Sequence, residues 1–246
     1  MHGLSEQDIL NIWEVGLRQH PVEQAITILT LADPQHTRSD LLAMSIGQRD
    51  AHLLAIRESV FGARFAGYAE CPQCREPLEF TFDVGNIRMA TPEYATHERA
   101  FSFSYEDYEL QANLPDSTDT FAIAGCRDVQ AARTILLERC ITSATHQGNE
   151  IAVSSLPDNV IAALGEAMIE RDPQAEIRLE LTCPSCDYCW FALFDILAFL
   201  WHEIVTRSRR ILREVHLLAS AYGWSEADIL AMSAVRRRLY LDMVIA

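Results

Sequence analysis

The chain has 246 residues, 49% apolar and 22% charged, a composition that supports a buried core and excludes a disordered or collagen-like chain. It carries 35 acidic and 20 basic residues, for a formal net charge of −15, and every basic residue is arginine. The absence of lysine excludes chemistry that needs an amine, such as a Schiff base or a P-loop lysine, and the acidic charge argues against broad nucleic-acid binding.

Residues 4–62 are predicted to be wholly helical. Four helices are expected, starting near Ser5, Pro21, Ser39 or Asp40, and Gln48. Asp8, three residues after Ser5, completes a capping signal, and Gly62 is placed to end the fourth helix.

The pattern changes at Tyr68, where paired cysteines and alternating residues begin. Cys71-Pro-Gln-Cys74 precedes an alternation at residues 78–82, and an alternation at residues 177–181 precedes Cys183-Pro-Ser-Cys186. Strict alternation of apolar and polar residues predicts half-buried strands. Two cysteine pairs, each beside a strand, predict a zinc ribbon.

The predicted metal ligands are the four cysteines of these motifs, Cys71, Cys74, Cys183 and Cys186. Zinc binds four thiolates as a tetrahedron, and a two-residue spacing lets both sulfurs of a pair reach one ion. A site closed by four cysteines has no open position for substrate, so the expected Zn²⁺ is structural. Cys189 is interpreted either as a competing ligand or as part of the adjoining apolar core. The alternative is four cysteines that bind no metal.

The 108 residues between the two cysteine pairs are too many for a loop. Residues 101–105 and 108–114 alternate like strands, whereas residues 128–140 and 157–170 are predicted helices. An α+β insertion is therefore expected within the ribbon, and its strands could extend the sheet of the ribbon.

From Phe191 onward the chain is again predicted to be helical, with one long helix over about residues 193–221, ended at Gly223. Residues 189–201 are the longest apolar stretch, too short to span a membrane, and are interpreted as the start of this buried helix. Trp224 is predicted to be a buried wedge between the long helix and two short helices that follow it.

These elements predict an α+β fold. Helical N- and C-terminal segments are expected around a discontinuous four-cysteine zinc ribbon that carries an inserted α+β subdomain. The predicted division is 1–66 for the N-terminal helical segment, 67–84 and 176–191 for the ribbon halves, 85–175 for the insertion, and 192–246 for the C-terminal helical segment.

No catalytic constellation is found, so the protein is predicted not to be an enzyme and to have no small-molecule substrate. His202-Glu203 lacks the second histidine of a zincin because position 206 is threonine, and the His-x-Glu of deaminases is missing. A thiol oxidoreductase is a further alternative, which needs a cysteine of low pKa at a helix N-terminus.

Basic residues concentrate near the C-terminus. Residues 201–246 carry seven arginines and five acidic residues, whereas residues 1–200 have a net charge of −17. Guanidinium groups form bidentate bonds to carboxylates. The arginines predicted to bind an acidic surface of a partner protein are Arg207, Arg210, Arg236, Arg237 and Arg238. The alternative is that they pair with carboxylates of the protein's own acidic body.

No export signal is expected, because residues 1–8 contain no basic region and no apolar region follows. The expected compartment is the reducing cytoplasm, where paired thiols indicate a metal site rather than disulfides.

Several motifs follow one another in a characteristic order. They are Asp8-Ile-Leu-Asn-Ile-Trp-Glu14, His20-Pro21, Gly47-Gln-Arg-Asp50, the two Cys-x-x-Cys pairs, Leu136-Leu-Glu-Arg-Cys140, Phe194-Asp-Ile196, Phe199-Leu-Trp-His-Glu203, Glu214-Val-His-Leu-Leu-Ala219, Tyr222-Gly-Trp-Ser-Glu-Ala-Asp-Ile-Leu230 and Arg236-Arg-Arg-Leu-Tyr240. This order resembles the T4-type baseplate (hub assembly) proteins of contractile phage tails and related injection systems, most specifically over residues 194–240. That family is not defined by zinc-binding cysteines, so the two pairs depart from its pattern.

The resemblance implies a non-enzymatic structural component or assembly chaperone of a phage-tail-like contractile baseplate. It implies other baseplate subunits as partners, and a place in the cytoplasm or in the assembled particle. The alternative is a zinc-ribbon regulator that binds nucleic acid. Charge discriminates between the two, because a regulator is expected to be basic near its ribbon.

Overall fold

The computed structural model describes residues 3–89 and 99–245. Its α-helices are α1 (Glu6–Gly16), α2 (Pro21–Ala32), α3 (Arg38–Ala43), α4 (Ile46–Phe61), α5 (Val84–Ile87), α6 (Ser117–Ile123), α7 (Val129–Cys140), α8 (Asp158–Arg171), α9 (Ile196–Tyr222), α10 (Glu226–Leu230) and α11 (Ala234–Ile245). Its strands are β1 (Arg64–Glu70), β2 (Pro77–Asp83), β3 (Ala100–Tyr105), β4 (Tyr108–Asn113), β5 (Ile141–His146), β6 (Asn149–Glu150), β7 (Ile177–Thr182) and β8 (Cys189–Phe194). Two short 3-10 turns lie at Val153–Ser155 and Pro173–Ala175.

Helices and small sheets together make an α+β fold, as predicted. The chain divides into two compact units: a helical unit of residues 1–34 and 197–246, and a mixed unit of residues 35–196. The division into ribbon halves and an insertion stays a prediction. Within the described ranges, no helix combines the length and apolar character needed to cross a membrane.

The helical unit contains α1, α2, α10, α11 and nearly all of α9. Ser5 caps α1 in a reciprocal box with Asp8, as predicted, and α2 begins at Pro21. Gly16 permits a close approach of α1 and α9, because a Cβ there would lie 2.2 Å from the ring of Trp201. A small residue at the end of α1 therefore makes room for a large ring on α9.

The start of α9 differs from its prediction. Residues 191–194 are not helical but belong to strand β8, and the helix begins at Ile196, after Asp195. The run Cys-Trp-Phe-Ala-Leu-Phe contains no polar residue, so its periodicity does not separate a buried helix from a strand. Gly223 ends α9 as predicted, with φ of 68° and its N–H donated to the carbonyl of Ala219 at 2.8 Å.

Trp224 lies where α9 meets α11, but it is half-buried, so the prediction of a buried wedge was wrong. Its ring stacks on Tyr222, with centroids 4.5 Å apart, and meets Tyr240 edge-on at 4.8 Å. Three aromatic rings therefore share this turn, and one side of the cluster remains open to solvent.

The mixed unit begins with α3 and α4, each capped by a hydroxyl side chain. Thr37 caps α3, which starts at Arg38 rather than at Ser39 or Asp40, and Ser45 caps α4. A second capping group comes from far along the chain, because the N–H of Gly47 donates to Asp172 Oδ2 at 2.8 Å. This bond ties the start of α4 to the 3-10 turn at Pro173–Ala175.

Strands β3 to β6 form an antiparallel sheet in the order β3-β4-β5-β6. Its core includes Leu110 and Ala144 of the sheet and Val160 and Leu164 of α8. The expectation that these strands extend the sheet of the cysteine-bearing segment was wrong. They bury their own apolar face against α8, which makes them a separate layer.

Candidate metal centre

Two β-hairpins present the paired cysteines. Strands β1 and β2 pair antiparallel and so do β7 and β8, with each Cys-x-x-Cys in the connecting turn. Each pair thus lies between two strands, whereas the sequence predicted one strand beside each. The half-buried faces of the hairpins meet at their roots, where Phe194 contacts Phe65 and Phe82, both at 5.3 Å between ring centroids.

The two turns share one backbone arrangement. In each turn, the carbonyl of the first cysteine accepts a hydrogen bond from the N–H of the residue four positions later. The N–H of the same cysteine donates to the carbonyl of the residue five positions later, and all four bonds measure 2.9 to 3.0 Å. The residues at the fourth position, Arg75 and Asp187, have φ of 62° and 56°. This left-handed conformation is uncommon for non-glycine residues, and both turns use it to present two sulfurs on one side.

The four predicted ligands come together at the tips of the hairpins. Cys71 Sγ lies 3.7 Å from Cys186 Sγ, Cys74 Sγ lies 3.5 Å from Cys183 Sγ, and all four sulfurs lie within 4.8 Å of one another. A tetrahedral ion with bonds of about 2.3 Å to sulfur holds its sulfurs about 3.8 Å apart. The donor set and its spacing therefore fit a tetrahedral metal that prefers sulfur ligands.

Hydrogen bonds and burial act in opposite directions on the thiols. Burial raises the pKa of Cys71, but hydrogen bonds from the backbone N–H groups of Cys74 and Gln73 and from the neighbouring thiols outweigh burial and lower this pKa to about 7. The N–H of Tyr188 lowers the pKa of Cys186, but burial and the three neighbouring thiols raise it to about 12. The thiol of Cys71 therefore ionises more easily than that of Cys186, and a bound cation would stabilise the thiolate form of both.

Cys189 stands apart from this cluster. Its side chain is exposed, and its sulfur lies 3.4 Å from Thr182 Oγ1. It is therefore not packed in an apolar core, as one interpretation held. Both cysteine pairs lie in turns between strands rather than at helix N-termini, so the geometry expected of a thiol oxidoreductase is not found.

Three of the five predicted partner-binding arginines join an ion-pair network within the helical unit. Arg207 pairs with Glu6 at 2.6 Å, and Arg237 pairs with the second oxygen of Glu6. Arg237 Nε also donates to Glu214 at 2.8 Å, and Arg210 binds Glu214 at 2.9 Å. The network connects α1, α9 and α11. Its acidic partners were not predicted, because Glu6 and Arg207 are 201 residues apart in sequence and only tertiary packing brings them together.

Arg237 is only 2% exposed, so it lies beneath the surface on which the sequence predicted it to bind a partner. Burial raises the pKa of Glu214, but Arg237 and Arg210 outweigh burial and hold it below its usual value. Arg210, Arg236 and Arg238 remain exposed. Internal pairing thus describes Arg207, Arg210 and Arg237, and partner binding by the exposed arginines stays a prediction.

A family model described as T4 bacteriophage base plate protein matches residues 14–201. The chain belongs to this family. The matched region contains Gly47-Gln-Arg-Asp50 and both cysteine pairs, and it ends early in α9, before the C-terminal arginines. Membership supports a structural role in a phage baseplate, with other baseplate proteins as partners and a place in the phage tail particle. No curated protein and no solved structure matches the chain.

Proposed function

We propose that the chain is a non-enzymatic component or assembly chaperone of a phage-tail-like contractile baseplate, and that a structural Zn²⁺ fastens its two hairpins. Family membership over residues 14–201 supports the baseplate role. The metal proposal rests on one observation: the convergence within 4.8 Å of Cys71, Cys74, Cys183 and Cys186.

Each hairpin contributes two thiols, and its own backbone fixes their direction. When bound, the ion stabilises four thiolates and cross-links turns that are more than 100 residues apart in sequence. Four cysteines complete a tetrahedron and leave no position for water, so the chain's residues would hold the ion without presenting it to a substrate.

The charge around the cluster favours a protein partner over nucleic acid. Residues 64–83 and 177–194, which form the two hairpins, carry six acidic and three basic residues. A nucleic-acid-binding ribbon is expected to be basic at this surface. We therefore assign the chain to protein assembly, in the cytoplasm during construction or within the finished particle.

Metal analysis of the purified chain tests the site. We expect one equivalent of zinc, lost in Cys183→Ser and retained in Cys189→Ser, a control that removes a neighbouring thiol outside the cluster. Absence of zinc from the wild-type chain would overturn the metal proposal, and loss of zinc in the Cys189 variant would overturn the assignment of four ligands.

Deletion of the gene tests the baseplate role. Without the chain, electron microscopy should show no complete tails, and expression of the chain from a plasmid should restore them. Immunodetection in purified particles then separates the two forms of the proposal, because a component is present there and a chaperone is found only in precursors. Normal tails in the deletion strain would refute both forms.

A further inference from the structure

Helix α11 has one buried face and one exposed face that carries apolar side chains. Arg237 and Leu241 are 2% and 5% exposed and belong to the buried face. Val235, Leu239 and Met243 are 74%, 57% and 68% exposed, and we refer to these three residues as the outer stripe. Positions two residues apart on a helix differ by about 200°, so the outer stripe points away from the buried face.

The spacing of the outer stripe is that of a binding face. Its residues lie at i, i+4 and i+8, which aligns them along one side of the helix. Peptide helices that dock in a groove use anchors at such spacings. By contrast, the exposed positions of α9 are mostly polar, as at Arg209, Arg213 and His216.

Positive charge borders the outer stripe. Arg236 and Arg238 lie on opposite sides of it and both are exposed. Arg238 pairs with Asp242 of the same helix at 3.1 Å, a surface contact that stabilises little. Helix α11 carries three arginines and one acidic residue, in a chain whose net charge is −15. Charge therefore selects an acidic partner at this helix and orients it.

We infer that the outer stripe docks into an apolar groove, bordered by carboxylates, on another protein subunit of the baseplate. This inference rests on the proposed function and adds to it the surface and the chemistry of the partner. It also changes the binding role first predicted for five arginines. The outer stripe would form the centre of the interface, with Arg236 and Arg238 at its edges, and Arg237 would stabilise α11 through its buried ion pairs.

The test uses the full-length chain, loaded with zinc, and each of the other baseplate proteins encoded with it, purified singly. Val235→Asp and Leu239→Asp should weaken capture of one of these proteins at least about tenfold, because central apolar anchors dominate binding. The matched control is Val129→Asp. Val129 lies in the first turn of α7 and is 77% exposed, and its substitution should leave capture unchanged.

Photo-crosslinking identifies the occupant directly. The variant Leu239→p-benzoylphenylalanine should crosslink to the captured subunit at a segment that contains apolar residues and carboxylates. Crosslinks to a second copy or to the chain's own residues would overturn the inference, as would capture unaffected by the Asp variants. If the wild-type chain captures no baseplate protein, the proposed function fails as well. If capture is intact in every variant, only the assignment of the outer stripe fails.

Discussion

Each residue of the segment Gly47-Gln-Arg-Asp50 makes a contact that stabilises the start of α4. Gln48 completes a capping box, since its side chain accepts the N–H of Ser45 at 3.0 Å. Arg49 and Asp50 form a largely buried ion pair at 2.8 Å. Gly47 provides space, because a Cβ there would lie 2.0 Å from a carboxylate oxygen of Asp172. The sequence identified this motif by resemblance, and the structure supplies its physical reasons.

Gly47→Ala should destabilise the protein. The added methyl group would also meet the backbone nitrogen of Ala175 at 2.8 Å, and backbone cannot swing aside as a side chain does. Overpacking of this kind typically costs about 1–3 kcal/mol. Gly165→Ala in α8 is the matched control, because its Cβ meets nothing within 4 Å and should stabilise the helix by about 0.5–1 kcal/mol. Equal unfolding midpoints in urea for the two variants would contradict this account.

Asp50 should make stability depend on pH. Burial is the largest influence and, with smaller contributions from Asp195 and Asp172, it raises the pKa of Asp50 to about 6 despite the pairing with Arg49. In the unfolded chain the pKa is about 3.9, so the fold binds the proton more tightly and loses this stability as pH rises from about 4 through about 6. The loss corresponds to about 3 kcal/mol.

Asp50→Asn removes this titration. Its unfolding free energy relative to wild type should therefore rise by up to about 3 kcal/mol between pH 4 and pH 7, measured in urea. Asp83→Asn, at an exposed carboxylate without a side-chain capping bond, should show no such trend. A flat difference between Asp50→Asn and wild type across this range would show that Asp50 is not buried as described.

At the scale of the elements, local chemistry predicted the helices better than the strands. Ser5, Pro21 and Gly223 set helix ends through capping and backbone conformation, which depend on a few neighbouring residues. Strand β1 was missed because its sequence Arg-Phe-Ala-Gly-Tyr-Ala-Glu is rich in small residues. There Gly67 lies under the ring of Phe80, a cross-strand contact that the sequence of β1 alone does not contain. Strand β8 was missed because it is apolar throughout.

The cysteine site was predictable for a different reason. Its geometry follows from two short motifs, each of which folds by its own hydrogen bonds, so the four cysteines that cluster were identified without knowledge of the 108 residues between them. The arginine network is the opposite case. The sequence shows the charge of Arg237, but not that Glu6 and Glu214 are its partners, because tertiary packing brings these residues together.

The network should hold α11 in place. Arg237→Gln removes a buried cation from two carboxylates, and breaking a buried pair in this way typically costs about 3–5 kcal/mol. We expect the lower end of this range, because Glu6 and Glu214 are 16% and 14% exposed. The control on the same helix is Arg238→Gln, an exposed site that should change stability by about 0.5 kcal/mol or less. Similar thermal midpoints for the two variants would show that the network does not stabilise the helix.

At the scale of the whole molecule, the cysteine cluster lies within one of the two compact units. The mixed unit spans residues 35–196 and contains both hairpins, whereas the helical unit contains no member of the cluster. A cross-link that closes a loop of about 100 residues removes roughly 4–5 kcal/mol of chain entropy from the unfolded state, on the model used for disulfides. A bound metal should therefore stabilise the two units unequally.

Hydrogen exchange after removal of the metal tests whether the metal stabilises the two units unequally. After chelation of the zinc-loaded chain, amides of β1, β2, β7 and β8 should lose protection, because the two hairpins would then be joined without the metal, through contacts such as those of Phe194 with Phe65 and Phe82. Amides of α1, α2 and residues 197–222 should keep theirs. Cys183→Ser should reproduce the chelated pattern without chelator, and Cys189→Ser should behave like the wild-type chain. Equal loss of protection in both units would mean that the metal stabilises the fold as one cooperative body, and unchanged protection in the hairpins would mean that it does not fasten them.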